Sequence, residues 1–387
     1  MLGERKYFLD WLRVAAFGFL ILFHVGLLYV TWNYNIKSSR IFPELEYLLI
    51  AISPWRLELL FFISGVASRF LMGKLGPGRF SIARIKRLYI VLLLGMLVIN
   101  PIQVYVEFLH KGLIDQGYID FWLHAYLPGK PFPHRILPTW DHLWFLVYLL
   151  IYTLGMALIF KLFHPSEPFN IPLNFLLVTP GVWLCASNAL IQEYSPVTMA
   201  LVNDWGNHLR WIGMFAAGVI CASRGVFWVF VKAFRHRLLA LSIIGLFFQI
   251  GYGVLARANA ISPDWYGALY GVVEGFYGWA VILTLTGYAS AYLNFNNRVL
   301  QYLTDAVLPV YVVHQPILLV AAYLLLPISL PLSIEVTALI LITGIGSLAV
   351  YEIFVRRWRL SRFLFGLKDI GPGSNINNQL DLSKVRS

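Results

Sequence analysis

Residues 8–31 read FLDWLRVAAFGFLILFHVGLLYVT, a mostly apolar run in which Asp10, Arg13 and His24 are the ionisable side chains. A helix needs roughly 20 such residues to cross the ~30 Å hydrocarbon core of a bilayer. A half-buried strand would instead alternate apolar and polar residues. The stretch therefore predicts a transmembrane helix.

Nine similar runs follow, and the composition agrees with a membrane protein. Of the 387 residues, 59% are hydrophobic and 13% are Asp, Glu, Lys or Arg, whereas a soluble domain carries roughly 25% charged residues. We expect an all-α fold, a polytopic integral membrane bundle of about ten transmembrane helices, with residues 1–368 as one membrane domain. The runs lie near residues 8–31, 50–72, 85–108, 142–162, 172–191, 207–223, 238–256, 266–292, 307–326 and 332–355.

The formal net charge of +11 reflects basic residues in the short segments between the apolar runs. Basic residues concentrate in cytoplasmic loops, so this pattern indicates topology rather than nucleic-acid binding. It predicts that both termini are cytoplasmic, that residues 109–141 form an outer loop, and that residues 369–387 form a flexible cytoplasmic tail. In the loop, aromatic and acidic side chains either contact a sugar or belong to the interfacial aromatic belt: Asp115, Asp120, Trp122, Tyr126 and Trp140.

The cysteines and other motifs give no sign of a metal site. Cys185 and Cys221 fall within or at the edge of predicted spans, where a thiol acts as a small apolar filler. We find no His-x-x-x-His helix, no cysteine pair and no glycine-rich phosphate loop. We therefore expect no metal and a donor that diffuses in.

Arg13 and His24 are eleven positions apart in the first run, which is close to three helical turns. They should share one face, with His24 near the middle of the membrane if Arg13 lies at its cytoplasmic edge. Asp10 is one turn before Arg13 and can pair with it. Ionisable groups inside spans are costly and often functional. The alternatives are a snorkelling arginine and a hydrogen-bonded core histidine.

These residues resemble the first-helix signature of the acyltransferase-3 family, an arginine, ten residues and a histidine. Arg84-Ile85-Lys86-Arg87 resembles the family's Arg-x-x-Arg element, and Phe61-Phe62-Ile63-Ser64-Gly65 resembles its second helix. Further segments resemble the glucans biosynthesis protein C branch: His142-Leu143-Trp144-Phe145-Leu146, Tyr311-Val312-Val313-His314-Gln315-Pro316 and Tyr351-Glu352. The resemblance extends from Tyr7 to about Lys368.

The resemblance implies transfer of an acyl group, succinyl or acetyl, from a cytoplasmic acyl-CoA to a hydroxyl of a periplasmic glucan or another envelope carbohydrate. It places the protein in the bacterial inner membrane. His24 then acts as general base with Arg13 beside it, because a histidine can accept a hydroxyl proton near neutral pH. Arg84 and Arg87, which are three apart, bind the phosphates of coenzyme A or simply anchor the helix at the cytoplasmic surface.

Other side chains are weaker candidates for binding substrate. They are Asp10, Arg56, His142, Trp144 and His314. Arg56 and Glu58 are two apart and cannot face one another on a helix, so each should pair elsewhere. For His142 and Trp144 the alternative is the aromatic belt, and for His314 it is a satisfied core histidine.

A transporter or flippase for an anionic or carbohydrate substrate is the competing function, since membrane-embedded Arg, His and Glu also mark transport paths. Transport would be favoured by helices interrupted at matching places in two halves, and the sequence has no such symmetry. A purely structural subunit would not explain an arginine and a histidine on one helix face.

Overall fold

The computed structural model of the protein describes residues 5–132, 135–163, 171–194, 198–257 and 263–368. In these ranges the chain forms α-helices and no strand longer than a single bridging pair, which confirms the all-α expectation. The α-helices are α1 (Tyr7–Leu27), α2 (Glu46–Arg84), α3 (Ile90–Leu94), α4 (Asn100–His110), α5 (Tyr118–Phe121), α6 (Trp144–Phe163), α7 (Leu173–Tyr194), α8 (Trp205–Ala222), α9 (Gly225–Ala233), α10 (Arg235–Arg257), α11 (Pro263–Tyr292), α12 (Arg298–Leu325), α13 (Leu332–Val350) and α14 (Arg359–Leu364).

Several helices are continued by turns of different pitch. Turns of 3₁₀ helix occupy Pro43–Leu45, Asp141–Leu143 and Leu326–Ile328. The wider π-helical turns occupy Ile85–Tyr89, Gly95–Ile99, Trp122–Tyr126 and Tyr351–Val355. Such π turns are rare and often occur at functional sites. Here the first of them replaces the α-helix expected directly after Arg84.

In the described part of the chain, eight helices are long and apolar enough to cross a membrane, and the bent pair α8 and α9 makes a ninth. One of the eight runs from Pro43 to His110, which is 68 residues. At 1.5 Å per residue it extends roughly 100 Å, enough to cross a ~30 Å core twice. Counted as two spans, it accounts for about ten helices and agrees with a multi-pass membrane protein.

The long helical run is interrupted where the sequence expects a connection. Gly76 has φ 74° and ψ 163°, outside the helical region, and Pro77 follows it. Glycine adopts positive φ without steric cost, and proline cannot continue the hydrogen bonding of a preceding helix. The predicted connection between residues 72 and 85 is therefore a single break at Gly76 rather than a loop. At the other end, α2 begins four residues earlier than predicted.

Two compact units can be distinguished in the chain. The first unit contains Met1–Arg84 and Trp144–Thr304, and the second contains Ile85–Leu143 and Asp305–Ser387. In the first unit α2 packs on α8, and α11 packs on α7 and α10. Its centre is aromatic, with Phe61 of α2 against Phe145, Tyr152 and Trp211.

Glycines allow the close approach of α2 and α8. A Cβ atom added to Gly65 would overlap the carbonyl oxygen of Phe215, and one added to Gly218 would overlap that of Phe62. Lipid is as apolar as a leucine side chain, so helices in a bilayer gain stability from close packing more than from burial of apolar surface. Gly65 of the family-like FFISG stretch thus has a packing role.

In the second unit, part of the stretch predicted as an outer loop, residues 109–141, forms a buried cluster with α4. Phe108, Phe121, Tyr126 and Leu137 are buried together beside α4. Tyr126 is fully buried, and its hydroxyl donates to the carbonyl oxygen of Met96 at 2.8 Å. The interpretation of Tyr126 as a sugar-binding aromatic is therefore wrong, because its ring has no exposed surface. The predicted tail, residues 369–387, lies outside the described residues.

Charged groups in the same unit tie the loop to α4. Arg135 contacts Glu107 of α4 and lies 3.4 Å from Asp141. Burial alone would lower the pKa of Arg135, but the neighbouring Asp141 and Glu107 carboxylates outweigh it and raise that pKa. The connection is thus held by an ion-pair network as well as by its aromatic cluster.

Candidate functional site

The face of α1 that carries Arg13 and His24 is turned toward the protein. At about 100° per residue, four side chains fall within roughly 60° of one another on the helix surface. Two are buried and two half-buried: Arg13, Phe17, Leu20 and His24. The exposed positions lie on the opposite side: Ala15, Gly18, Phe19 and Leu22. Arg13 and His24 therefore share one stripe on the protein-facing side of α1, as the spacing predicts.

Arg13 is paired as expected. Its guanidinium donates to the Asp10 carboxylate at 3.0 Å, and Arg5 donates to the other oxygen of the same carboxylate at 2.8 Å. The Arg13 side chain keeps 24% of its surface exposed. Pairing with an acidic side chain one turn earlier lowers the free-energy cost of an arginine near a membrane, and it fixes the orientation of the guanidinium.

The end of α1 is set by a lysine that sequence analysis did not single out. The Lys37 ammonium donates to the carbonyl oxygens of Leu27 at 2.6 Å and Trp32 at 3.0 Å, and also to that of Val30. The last carbonyls of a helix lack internal partners, and a cation there satisfies them. As a result α1 ends at Leu27, four residues before the predicted end, and His24 lies in its last turn.

The segment after α1 folds back over His24. Ser38 and Phe42 donate backbone hydrogen bonds to Leu28 and Tyr29 at 2.9 and 2.7 Å, which closes the turn. The Tyr34 ring then stacks on the His24 imidazole, with ring centroids 5.9 Å apart and planes 21° apart. This contact restricts the orientation of the half-buried imidazole.

Arg56 and Glu58 point to different neighbours, as expected for positions two apart. The Arg56 guanidinium lies 3.7 Å from the centre of the Phe23 ring of α1. Glu58 pairs with Arg210 of α8 at 3.1 Å. Because α2 begins at Glu46, both residues lie about three turns inside the helix, and both are buried.

Arg84 and Arg87 have different surroundings. Arg84 ends α2 and donates to the buried Ser68 hydroxyl at 2.8 Å, while its guanidinium also lies near the Phe80 ring. Arg87 lies in the π-helical turn, and its backbone carbonyl is close to Gly366. Hydrogen bonds in a π turn run from i to i+5. Because the chain changes from an α-helix to a π turn after Arg84, the three-residue spacing does not by itself place Arg84 and Arg87 on one helix face.

His142 and His314 lie together in the second unit, which sequence analysis did not anticipate. Their ring centroids are 5.4 Å apart and nearly perpendicular. His142 Nε2 is 3.1 Å from the Val312 carbonyl oxygen, and His314 Nδ1 is 2.7 Å from that of Tyr311. Both side chains are buried. The satisfied-core interpretation of His314 fits this geometry, while a burial of this degree does not fit an interfacial aromatic belt for His142.

Trp144 lies in the first unit at the start of α6. Its ring stacks on that of Trp211, with centroids 4.6 Å apart and planes 18° apart. Trp144 is half-buried, so it belongs to the aromatic centre of this unit.

Two cavities in the first unit lie away from these residues. One of about 300 Å³ runs between α7 and α8 with apolar walls that include Trp183 and Ile212. Another of about 310 Å³ lies at the break between α8 and α9, beside Arg224. Neither is lined by any of the candidate site residues.

Comparison with known proteins accounts for nearly the whole chain. Residues 6–352 match the family described as an acyltransferase domain, acyltransferase-3. The chain belongs to this family. It is also similar to glucans biosynthesis protein C of Escherichia coli, with 24% identity over 394 aligned residues that cover 96% of this chain and 97% of that protein. The protein of the same name from Salmonella heidelberg is 26% identical over 388 residues, covering 95% and 96%. No solved structure gives a significant match.

The chain is thus an acyltransferase of this family with several membrane-spanning helices. Its family-like motifs lie at helix faces and helix contacts. Arg13 and His24 line the inner stripe of α1, and Gly65 is the contact point of α2 with α8. Glu352 pairs with Arg356 one turn later at 2.9 Å. The matched region includes residues of both compact units.

Sequence analysis of this acyltransferase missed the residues that surround His24. Tyr34 and Lys37 lie in a segment with no helical pattern, and their effect depends on how that segment folds back. Arg210 gave no signal of its own, although a buried acid such as Glu58 requires a cation somewhere in the fold. An unpaired acid in a predicted span is therefore the one local clue that a partner exists.

Proposed function

We propose that this membrane acyltransferase transfers a succinyl or acetyl group from acyl-CoA to a hydroxyl of a periplasmic glucan or another envelope carbohydrate. The observation that carries the proposal is the inner stripe of α1, where the family-like Arg13 and His24 face the protein rather than lipid. The acceptor class rests on the printed name of the similar bacterial proteins. Membership of an acyltransferase family favours this function over the transporter alternative.

His24 is the general base in this proposal. A neutral imidazole accepts the proton of the acceptor hydroxyl as its oxygen attacks the thioester carbonyl. Stacking against Tyr34 limits the ring to few orientations, which a base needs in order to meet a particular hydroxyl. Arg13, fixed by Asp10, supplies positive charge along the same helix face for the anionic donor.

Arg84 and Arg87 are the proposed phosphate ligands of the donor. Guanidinium groups bind phosphate in bidentate geometry, and coenzyme A is strongly anionic. The basic residues between spans support a cytoplasmic location for this end of α2, and we propose a bacterial inner membrane with both termini inside. The donor would then be acyl-CoA from the cytoplasm, with no metal required.

The test is acyl transfer by the purified protein in lipid nanodiscs, with isotope-labelled succinyl-CoA or acetyl-CoA and periplasmic glucan. His24→Ala should lower the transfer rate about 10²- to 10⁴-fold, the usual contribution of a general base, and leave thermal stability unchanged. The exposed His110 provides a matched control, because His110→Ala removes a histidine outside the first unit.

A His24→Ala protein that transfers the label at the wild-type rate would remove His24 from the mechanism. Wild-type protein that transfers no label to any envelope carbohydrate would overturn the proposed reaction itself. Mass spectrometry of envelope carbohydrates from cells with and without the protein identifies the acyl group and its recipient together.

A further inference from the structure

Arg56 has two buried guanidinium nitrogens without a hydrogen-bond partner, more than any other described arginine of the first unit. Its side chain is 3% exposed, and its Nε and Nη1 atoms are buried without a hydrogen-bond partner. Leaving a buried donor unsatisfied is costly, and more so when the donor carries a charge. A buried guanidinium with unsatisfied donors is retained when binding of a ligand or a transition state satisfies those donors during the reaction.

Glu58, the acidic side chain that interacts with Arg56, is paired with another cation. It is directed to the other side of α2, where its Oε1 lies 3.1 Å from Arg210. Glu58 is close enough to Arg56 to interact electrostatically, but it does not satisfy the orphan nitrogens. The Arg56 guanidinium therefore keeps hydrogen-bonding capacity for another group.

That capacity lies beside the proposed base. The Arg56 guanidinium is 3.7 Å from the centre of the Phe23 ring, and the same ring is 6.1 Å from the His24 imidazole, centre to centre. The cation and the base thus flank one aromatic ring at the α1–α2 contact. The two distances keep the guanidinium and the imidazole within about 10 Å of each other, close enough for a thioester carbonyl bound between them to contact both.

We propose that Arg56 binds the carbonyl oxygen of the donor thioester and stabilises the negative charge that develops on it during acyl transfer. This rests on the proposed function, with His24 as base. The acceptor oxygen gives its proton to His24 and bonds to the carbonyl carbon, while the carbonyl π electrons move to the oxygen held by Arg56. When that oxyanion collapses, the C–S bond breaks, and the departing thiolate takes the proton from His24.

Preorganised donors that meet an oxyanion are among the largest contributors to acyl-transfer catalysis. They act only when the charge develops, so they raise kcat more than they tighten ground-state binding. Arg56 could instead have only a structural role, holding α1 against α2 through the Phe23 ring. In that case removing Arg56 lowers stability, and activity falls only in proportion to the folded protein that is lost. The two roles can therefore be separated experimentally.

The experiment uses the full-length protein in nanodiscs and compares Arg56→Met, Arg56→Lys and Arg210→Lys. For each we would measure kcat and KM for the acyl-CoA donor, thermal stability, and the Kd of a thioether analogue that lacks the carbonyl oxygen. Arg56→Met should lower kcat about 10²- to 10³-fold, the effect of removing an oxyanion donor. Its Kd for the thioether should stay within about twofold of wild type, since uniform binding is retained.

Arg56→Lys keeps the charge but loses the planar fork of donors, so its kcat should be intermediate. It also serves if Arg56→Met does not fold. Arg210→Lys perturbs a half-buried arginine that already has a partner, and its activity should fall only in proportion to folded protein.

Unchanged kcat in folded Arg56→Met, or a kcat loss matched by equally weakened thioether binding, would overturn the assignment of Arg56. Such a result leaves the acyl-transfer proposal intact as long as wild type is active and His24→Ala is not. If wild type transfers no acyl group, the proposed function fails first.

Discussion

At the scale of single residues, membrane burial makes every ionisable side chain require a partner. Asp10 has Arg13, Glu58 has Arg210 and Glu352 has Arg356. Charges in low-dielectric surroundings are stable only when they are paired and hydrogen-bonded. Arg56 is an exception, because two nitrogens of its buried guanidinium have no hydrogen-bond partner.

Arg84 offers a residue-scale test of donor binding. Arg84→Ala combined with Arg87→Ala should raise KM for acyl-CoA about 10- to 100-fold, because a hydrogen bond to a charged group is worth about 1.5–3 kcal/mol. The measurement is a donor titration at saturating acceptor. The expected kcat is close to wild type, since neither arginine is proposed to touch the reacting carbonyl.

Ser68→Ala is the matched control for that double variant. It removes the buried hydroxyl that accepts from Arg84 but keeps the guanidinium. KM should stay within about twofold, while stability falls by about 1 kcal/mol, the net worth of a hydrogen bond. An equal rise in KM for Ser68→Ala would show that Arg84 acts by holding α2 rather than by binding the donor.

At the scale of elements, the decisive contacts are backbone approaches rather than hydrophobic burial. Gly65 and Gly218 let α2 and α8 meet with no side chain between them, and Gly271 and Gly275 of α11 do the same against α7. Close approach maximises dispersion contacts, which lipid cannot supply as well as a matched helix surface. Since α2 also carries Arg56, this packing fixes the guanidinium relative to its own unit.

Gly65→Ala tests that packing. The new methyl group would overlap the Phe215 carbonyl, so α2 and α8 must separate, and the free energy of unfolding should fall by about 1–3 kcal/mol, as for an overpacked core. The change is measured by thermal unfolding in nanodiscs. Gly155→Ala in α6 is the control, because a Cβ atom there meets nothing within 4 Å.

Equal melting temperatures for Gly65→Ala and Gly155→Ala would show that the α2–α8 contact can relax at no cost. Gly155→Ala itself should be neutral or slightly stabilising, since alanine has the higher helix propensity.

At the scale of the whole molecule, the 68-residue helical run from Pro43 to His110 is expected to cross the membrane twice. Its break at Gly76 divides it into two parts, each long enough to span. The basic residues around that break predict that it lies in the cytoplasm. The two ends of the run should then lie on the opposite side.

Single cysteines introduced at exposed positions test this topology. The background variant carries Cys185→Ala and Cys221→Ala. In it, Ser39→Cys and Lys111→Cys should react with a membrane-impermeant maleimide added to spheroplasts. Arg79→Cys, at an exposed position beside the break, should react only after permeabilisation. Labelling of all three positions from one side would contradict two crossings by this run.

The sequence alone determined the all-α membrane fold, the positions of most spans and the shared face of Arg13 and His24. These follow from local properties, because a span is recognised by its own hydropathy and a helix face by a fixed rotation per residue. The spacing of Asp10 and Arg13 likewise predicted an ion pair formed within one turn. Helix ends were less certain, and α1 ended four residues early.

Only the tertiary structure decided which side chains surround the candidate site. Tyr34 reaches His24 because Lys37 closes the turn after α1, and Arg56 reaches Phe23 because α2 packs against α1. The pairing of His142 with His314 joins positions far apart in the chain. Such contacts depend on which helices become neighbours. An apolar helix surface can face either lipid or another helix, so its hydropathy does not specify its neighbours.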